Sequence, residues 1–161
     1  MPDGLTERYR LETGDWQILR DAARSVRYTV FVEEQNIPVE LEWDDLDEIA
    51  FHVVIFDGDL QAVATGRLLP DAHIGRLAVL RDYRGERLGK IVLQTLINKG
   101  VELGYPKLVL HAQESVKGFY EREGFLSEGS VFMEAGIPHR TMVRKLSQIP
   151  SSDNRFFINE R

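Results

Sequence analysis

Residues Ile74 to Leu103 constrain this chain more than any other stretch. An apolar strand, IGRLAVL, runs into a basic glycine-containing turn, RDYRGERLGK, and then into a long amphipathic helix. Leu88, Ile91, Val92, Leu96 and Leu103, widened by Leu93 and Ile97, recur at the spacing of a buried helical stripe. Roughly twenty helical residues would span about 30 Å, the depth of a small domain. At the start of such a helix the backbone N–H groups lack intrahelical partners and the dipole is positive. With Arg84, Arg87 and Lys90 beside Gly85 and Gly89, the turn reads as an anion site.

Two phosphate-binding patterns fail on spacing. Walker A needs four residues between its glycines and a Ser or Thr after its Lys, whereas three residues separate Gly85 from Gly89 and Ile91 follows Lys90. A dinucleotide fingerprint would need further glycines and regular βαβ surroundings, and neither is present.

Around this stretch the chain reads as strand, helix, hairpin, strand, long helix, strand, short helix and final hairpin. Tyr9 to Glu12 suits a strand, and Asp15 an N-cap. Leu19, Ala22, Ala23, Val26 and Val30 mark a helix that ends before Pro38. Ala50–Phe56 and Leu60–Leu69 flank the turn signal Asp57-Gly58. The helix after Arg84 stops at Gly104 and Pro106, and Lys107–His111 suits a buried strand. Ser115 to Glu123 suits a short helix, and Gly129–Glu134 and His139–Leu146 suit a closing pair of strands. The 161 residues fit one domain over residues 1–148 with a tail over 149–161.

Composition removes several function classes. With no Cys, disulfides, thiolate metal sites and a Cys nucleophile are excluded, so any acyl transfer is direct or uses another nucleophile. A net charge of −6 argues against extended nucleic-acid binding and suits a cationic substrate. No apolar run approaches the roughly 20 residues of a membrane span, and MPDGLTERYR lacks a signal segment, so a cytoplasmic protein without a membrane partner is expected. The four histidines lack metal-ligand spacing, and Asp44, Asp45 and Asp47 lack the glycine and distal Glu of a calcium loop. No metal is expected. That acidic run reads as a solvated loop able to attract a cationic acceptor.

The turn Arg84-Gly85-Glu86-Arg87-Leu88-Gly89 resembles motif A of the GCN5-related N-acetyltransferases (GNAT), Arg/Gln-x-x-Gly-x-Gly/Ala, with Arg87 in the place of the middle glycine. Downstream, Gln113-Glu114-Ser115-Val116-Lys117-Gly118-Phe119-Tyr120 before Gly124-Phe125 resembles the family's motif B, Asn-x-x-Ala-x-x-Leu-Tyr followed by Gly-Phe. The segments VFVEEQNIP, Asp44–Asp47 with His52, and GIPH at Gly136–His139 resemble the ElaA-like branch. The resemblance covers residues 9–146. It implies an α/β (α+β) acyl-CoA N-acyltransferase fold, a mixed and mostly antiparallel sheet of about seven strands with a splayed central parallel pair, flanked by helices.

The same resemblance implies acetyl-coenzyme A as donor and an amine acceptor, small-molecule or protein. Leu77, Ala78 and Val79 would hold the cofactor's amide arm through backbone, and an N–H near Val79 would polarise the thioester carbonyl. Arg84, Gly85, Glu86, Arg87, Leu88, Gly89 and Lys90 would hold the pyrophosphate, with Gln113, Phe119 and Tyr120 completing the cofactor side. Arg27, Phe31, Glu34, Gln35, His52 and His139 would line the acceptor side. Tyr120 is the expected general acid. Glu34, His52, His111, Glu134 and His139 are available as general base, and Glu34 and His111 rank first on chemistry and position. A longer-chain acyltransferase and a coenzyme A-binding sensor or interaction module without turnover are the alternatives. Phe156 and Phe157 in the tail make a homodimer contact an expectation.

Overall fold

The computed structural model describes residues 6–146; Phe156, Phe157 and the dimer contact expected of them lie outside the described residues. Strand β1 (Arg10–Gly14) hands over to helix α1 (Trp16–Arg27) at Asp15, whose extended backbone and carboxylate, 3.2 Å from the Ile18 N–H, form the expected N-cap. One face of α1 buries Trp16, Leu19, Ala23 and Val26. Beyond Arg27 the helix widens into a π-helical segment, Tyr28–Glu34, where the Gln35 N–H reaches back five residues to Val30 O at 3.1 Å.

The remaining elements follow in order: α2 (Val39–Glu42), a 3₁₀ turn (Asp45–Ile49), β2 (Phe51–Phe56), β3 (Ala62–Leu68), β4 (His73–Val79), α3 (Leu88–Glu102), β5 (Lys107–Gln113), α4 (Lys117–Glu121), β6 (Leu126–Glu134) and β7 (Ile137–Lys145). The seven strands form one sheet in the order β1-β2-β3-β4-β5-β7-β6. Only β4 and β5 run parallel; every other neighbouring pair is antiparallel. The fold class is therefore the one the sequence implied.

Each face of the sheet carries its own core. Leu88, Ile91, Val92, Leu93 and Leu96 of α3 pack with Val53, Val63, Leu108 and Leu110 on one face. Trp16, Leu19, Ala23 and Val26 of α1 pack with Phe31, Val54 and Ala78 on the other. Burying apolar side chains on both faces is worth roughly 25 cal/mol per Å² and drives the layering.

Two expectations change. Helix α3 has 15 residues rather than about twenty, because Gly85 at φ +82° and Arg87 at φ +67° are left-handed and cannot extend it toward Arg84. The acidic segment around Asp44–Asp47 is not a solvated loop. Glu42 and Asp47 are buried in it, ion-paired with arginines from three other elements.

Candidate functional site

Strands β4 and β5 pair only at His73↔Val109 and Ile74↔Leu110, then separate. The cause lies in β4 itself. Opposite β3, Gly75 pairs with Arg67 and Ala78 with Thr65, so Arg76 and Leu77 together face Gly66 alone. This is a β-bulge with Arg76 in the left-handed region at φ +54°. The bulge bends β4 away from β5 and opens a cleft of about 1580 Å³.

Backbone alternation fixes which groups face the opening. The Leu80 N–H donates to Val63 O at 2.9 Å toward β3, so the N–H and C=O of Val79 point the other way, into the gap. Val79 O accepts from Arg84 Nε at 2.9 Å. Val79 N–H remains available for a bound molecule. Leu77 and Val79 pack on the α3 core and Ala78 on the α1 core, so these three residues present backbone rather than polar side chains to the cleft.

At one end of the cleft lies the start of α3. Its first intrahelical bond runs from Ile91 N–H to Arg87 O at 3.0 Å, and no side chain caps the helix. The N–H groups of Leu88, Gly89 and Lys90 are therefore unpartnered within the helix. A Cβ on Gly89 would lie 3.5 Å from Val79 and 3.6 Å from Phe119, so the glycine lets the helix start sit close to the end of β4. Arg87 and Lys90 are exposed and line this end, with Arg122 of the α4 end beside them. Glu86 turns away, accepting from the Tyr9 hydroxyl at 2.5 Å; burial and this bond push the Tyr9 phenol up to about 12. Of Glu86, only the backbone is left to face an anion.

Tyr120 lines the middle of the cleft, half-buried and wedged edge-on between Phe119 (5.0 Å between centroids) and Phe125 (6.2 Å). Desolvation pushes its phenol above its ordinary range, so it stays protonated at neutral pH. Across the cleft, Gln113 donates to Gln35 at 2.8 Å, joining the end of β5 to the end of the π-helical segment. Phe31 lines the same wall.

The far end of the cleft gathers His111 of β5, Glu134 of β6, His139 of β7 and His73 of β4. His111 Nδ1 lies 3.1 Å from Glu134 Oε1. His73 and the Phe132 ring contact His111 edge-on, at 5.8 and 5.2 Å between centroids. Neither the His111–Glu134 contact nor the part of His73 is legible in the sequence; 23 residues separate His111 from Glu134, and only the strand order β5-β7-β6 brings them together. Among the described residues, no group of His, Asp and Glu has metal-holding geometry.

Three residues expected on the acceptor side or as bases take other places. Arg27 is 1% exposed, and its guanidinium is committed to Glu42 and to both oxygens of Asp47. His52, also 1% exposed, stacks on Trp16 and holds Asp47 O at 2.9 Å. Neither reaches the cleft. Burial pushes the His52 imidazole below its ordinary pKa, which keeps it neutral within the core. Glu34 forms a two-pronged pair with Arg84, at 2.8 and 2.7 Å, and a second pair with Arg81 at 3.4 Å. Hydrogen bonds from Arg84 hold its carboxyl below the usual range, which suits a structural clamp and not a proton acceptor. The clamp ties the π-helical segment to the basic turn.

A sheet opened between its central parallel strands, with an uncapped helix start at the mouth, defines an acyl-CoA N-acyltransferase fold. Solved structures that share it include Escherichia coli ElaA and an acyl-CoA N-acyltransferase from Pseudomonas aeruginosa, each with a TM-score of 0.76 and 28% identity over 84% of this chain and 99% of the other. The family model for the acetyltransferase (GNAT) domain matches residues 24–146, and the chain belongs to that family, on its ElaA-like branch. ElaA of E. coli K12 is 32% identical over 151 residues, covering 83% of this chain and 98% of ElaA. The uncharacterized N-acetyltransferase YjcF of Bacillus subtilis is 36% identical over 124 residues, covering 74% of this chain and 87% of its own length.

Proposed function

We propose that this protein transfers an acetyl group from acetyl-coenzyme A directly to a primary amine, carried by a small molecule or a protein. The observation that carries the reading is the opened β4–β5 seam. It leaves Val79 N–H unpaired between an uncapped, cation-flanked helix start and the protonated Tyr120 phenol.

When bound, the donor supplies an activated thioester. The N–H groups of Leu88, Gly89 and Lys90, with the side chains of Arg87 and Lys90, suit its pyrophosphate. Val79 N–H suits the amide arm or the thioester carbonyl, where an oriented backbone dipole stabilises developing negative charge. His111, which lines the cleft, takes the proton of the attacking amine, and Tyr120 gives a proton to the leaving sulfur. A thiolate leaving into a low-dielectric cleft is itself made more basic by desolvation, which narrows the mismatch with a raised phenol pKa.

Calorimetry with acetyl-coenzyme A, followed by thiol release over a panel of amines, tests this function. Tyr120→Phe should lower kcat by about 100-fold while acetyl-coenzyme A affinity stays within about twofold. Wild-type turnover in that variant would remove Tyr120 from the chemistry. Binding without thiol release on any amine would favour a coenzyme A-binding module, and equal rates with longer acyl thioesters would widen the donor class.

A further inference from the structure

We propose that Glu134 is a positioning residue that holds His111 in the form able to accept the amine's proton. The proposal rests on the acetyl-transfer reading and assigns a part to two residues at the far end of the cleft.

The turn between β6 and β7 builds this arrangement. Ala135 and Gly136 both have positive φ, +52° and +75°, the backbone of a tight two-residue hairpin turn. It places Glu134 opposite Ile137 at the very end of β6. From there the carboxylate reaches across β7 to β5, where His111 pairs with Thr141. Glu134 is 47% exposed along its side chain and His111 41%, so the pair sits at the cleft surface and not in the core.

An ionised carboxylate only accepts hydrogen bonds. With Glu134 Oε1 at 3.1 Å, the proton of a neutral His111 therefore sits on Nδ1, which leaves the Nε2 lone pair free. The edge contacts from Phe132 and His73 hold the ring in that orientation. On the other oxygen, Glu134 Oε2 lies 4.0 Å from His139 Nε2. The His139 Nδ1–H donates to Ile137 O at 2.7 Å, which fixes this second ring as well. The titratable groups facing His111 are thus Glu134 from β6, His139 from β7, His73 from β4 and, 3.2 Å from His73, Asp71 of the β3–β4 turn.

The proton balance closes on these residues. As the acceptor's N–C bond forms, its N–H bond breaks and the proton goes to His111 Nε2, giving an imidazolium whose charge Glu134 offsets. Tyr120 protonates the sulfur as the C–S bond breaks. The exposed edge of His111 returns its proton to solvent, and Tyr120 is reprotonated from solvent.

Nitrogen NMR of the histidine rings, combined with kinetics of Glu134→Ala, His111→Ala and the double variant, tests the assignment. The expected wild-type spectrum shows the Nδ1–H form of His111, replaced in Glu134→Ala by the Nε2–H form that an unconstrained histidine side chain prefers. Glu134→Ala should lower kcat about 10- to 100-fold at unchanged acetyl-coenzyme A affinity, and the double variant should be no slower than His111→Ala, because Glu134 acts through that ring. An Nε2–H form in the wild type, kcat within about twofold of wild type in Glu134→Ala, or additive losses would each overturn the proposal. If the wild type acetylates no amine, the acetyl-transfer reading fails, while the ring spectrum still decides whether Glu134 sets the His111 tautomer.

Discussion

At Arg87 a side chain stands where the family's motif carries glycine, and the backbone records why glycine is preferred there. Its φ of +67° and ψ of 13° lie in the left-handed region, which costs an L residue roughly 1–2 kcal/mol. The strain is retained beside the unpartnered N–H groups of α3, where a cation adds charge to the helix dipole. Stability and binding should therefore move in opposite directions in Arg87→Gly. The variant should gain about 0.5–1 kcal/mol in unfolding free energy, the relieved strain less the extra freedom of glycine in the unfolded chain. It should also bind acetyl-coenzyme A more weakly, by about 5- to 10-fold at low salt, with the gap closing as ionic strength rises. Urea titration and calorimetry across a salt series check both signs. Affinity unchanged at every ionic strength would show that the Arg87 side chain serves no bound anion.

Between elements, α3 approaches β3 closely at Gly66. A Cβ there would lie 2.8 Å from Val92 Cγ1 and 3.0 Å from both Leu77 Cδ1 and Leu96 Cδ1. All three atoms belong to side chains packed in the same core, so none can swing aside freely. Gly66→Ala should destabilise the protein by about 1–3 kcal/mol through overpacking, seen as a lower urea midpoint at unchanged slope; a midpoint equal to wild type would show that the layer can expand. Elements whose apolar period is unbroken, such as α3 through Leu88, Ile91, Val92 and Leu96, are legible in sequence because burial alone selects their faces. Their ends are less so. The start of α3 depends on two left-handed residues, the π-helical turn on hydrogen bonds that leave no period of their own, and β6 begins at Leu126 rather than Gly129 because pairing with β7 carries it further. The helix-start end of the cleft is local in sequence, one turn and one helix start. Its far end is not, since His73, His111 and Glu134 come from three separate strands.

Across the whole molecule, the least legible feature is the buried ion network beside the cleft. Arg27 of α1, Arg67 of β3 and Arg76 of β4 meet Glu42, Asp44 and Asp47 from the acidic segment. Read alone, ELEWDDLDE is a solvated acidic run, because each of its partners lies at least 15 residues away. In the fold, three guanidiniums and three carboxylates balance, which turns a buried charge cluster from a liability into a clasp of α2 and the 3₁₀ turn onto the sheet. Arg76 is also the bulge residue that opens the cleft, so the clasp and the cleft share a support. Asp44 is the member most accessible to titration. Burial alone would raise its carboxyl, but hydrogen bonds and charge from Arg67, with charge from Arg76, hold it down at about 2. A depressed carboxylate adds stability above its unfolded pKa near 3.9 and loses it as pH falls through the folded value. Wild type should therefore exceed Asp44→Asn by about 1 kcal/mol at neutral pH after solvent screening, with the difference shrinking below about pH 4 and small by about pH 2. Urea midpoints measured from pH 7 to pH 2 check this. A difference that persists unchanged at pH 2 would mean that the Asp44 side chain stabilises the clasp by shape and hydrogen bonding rather than by charge.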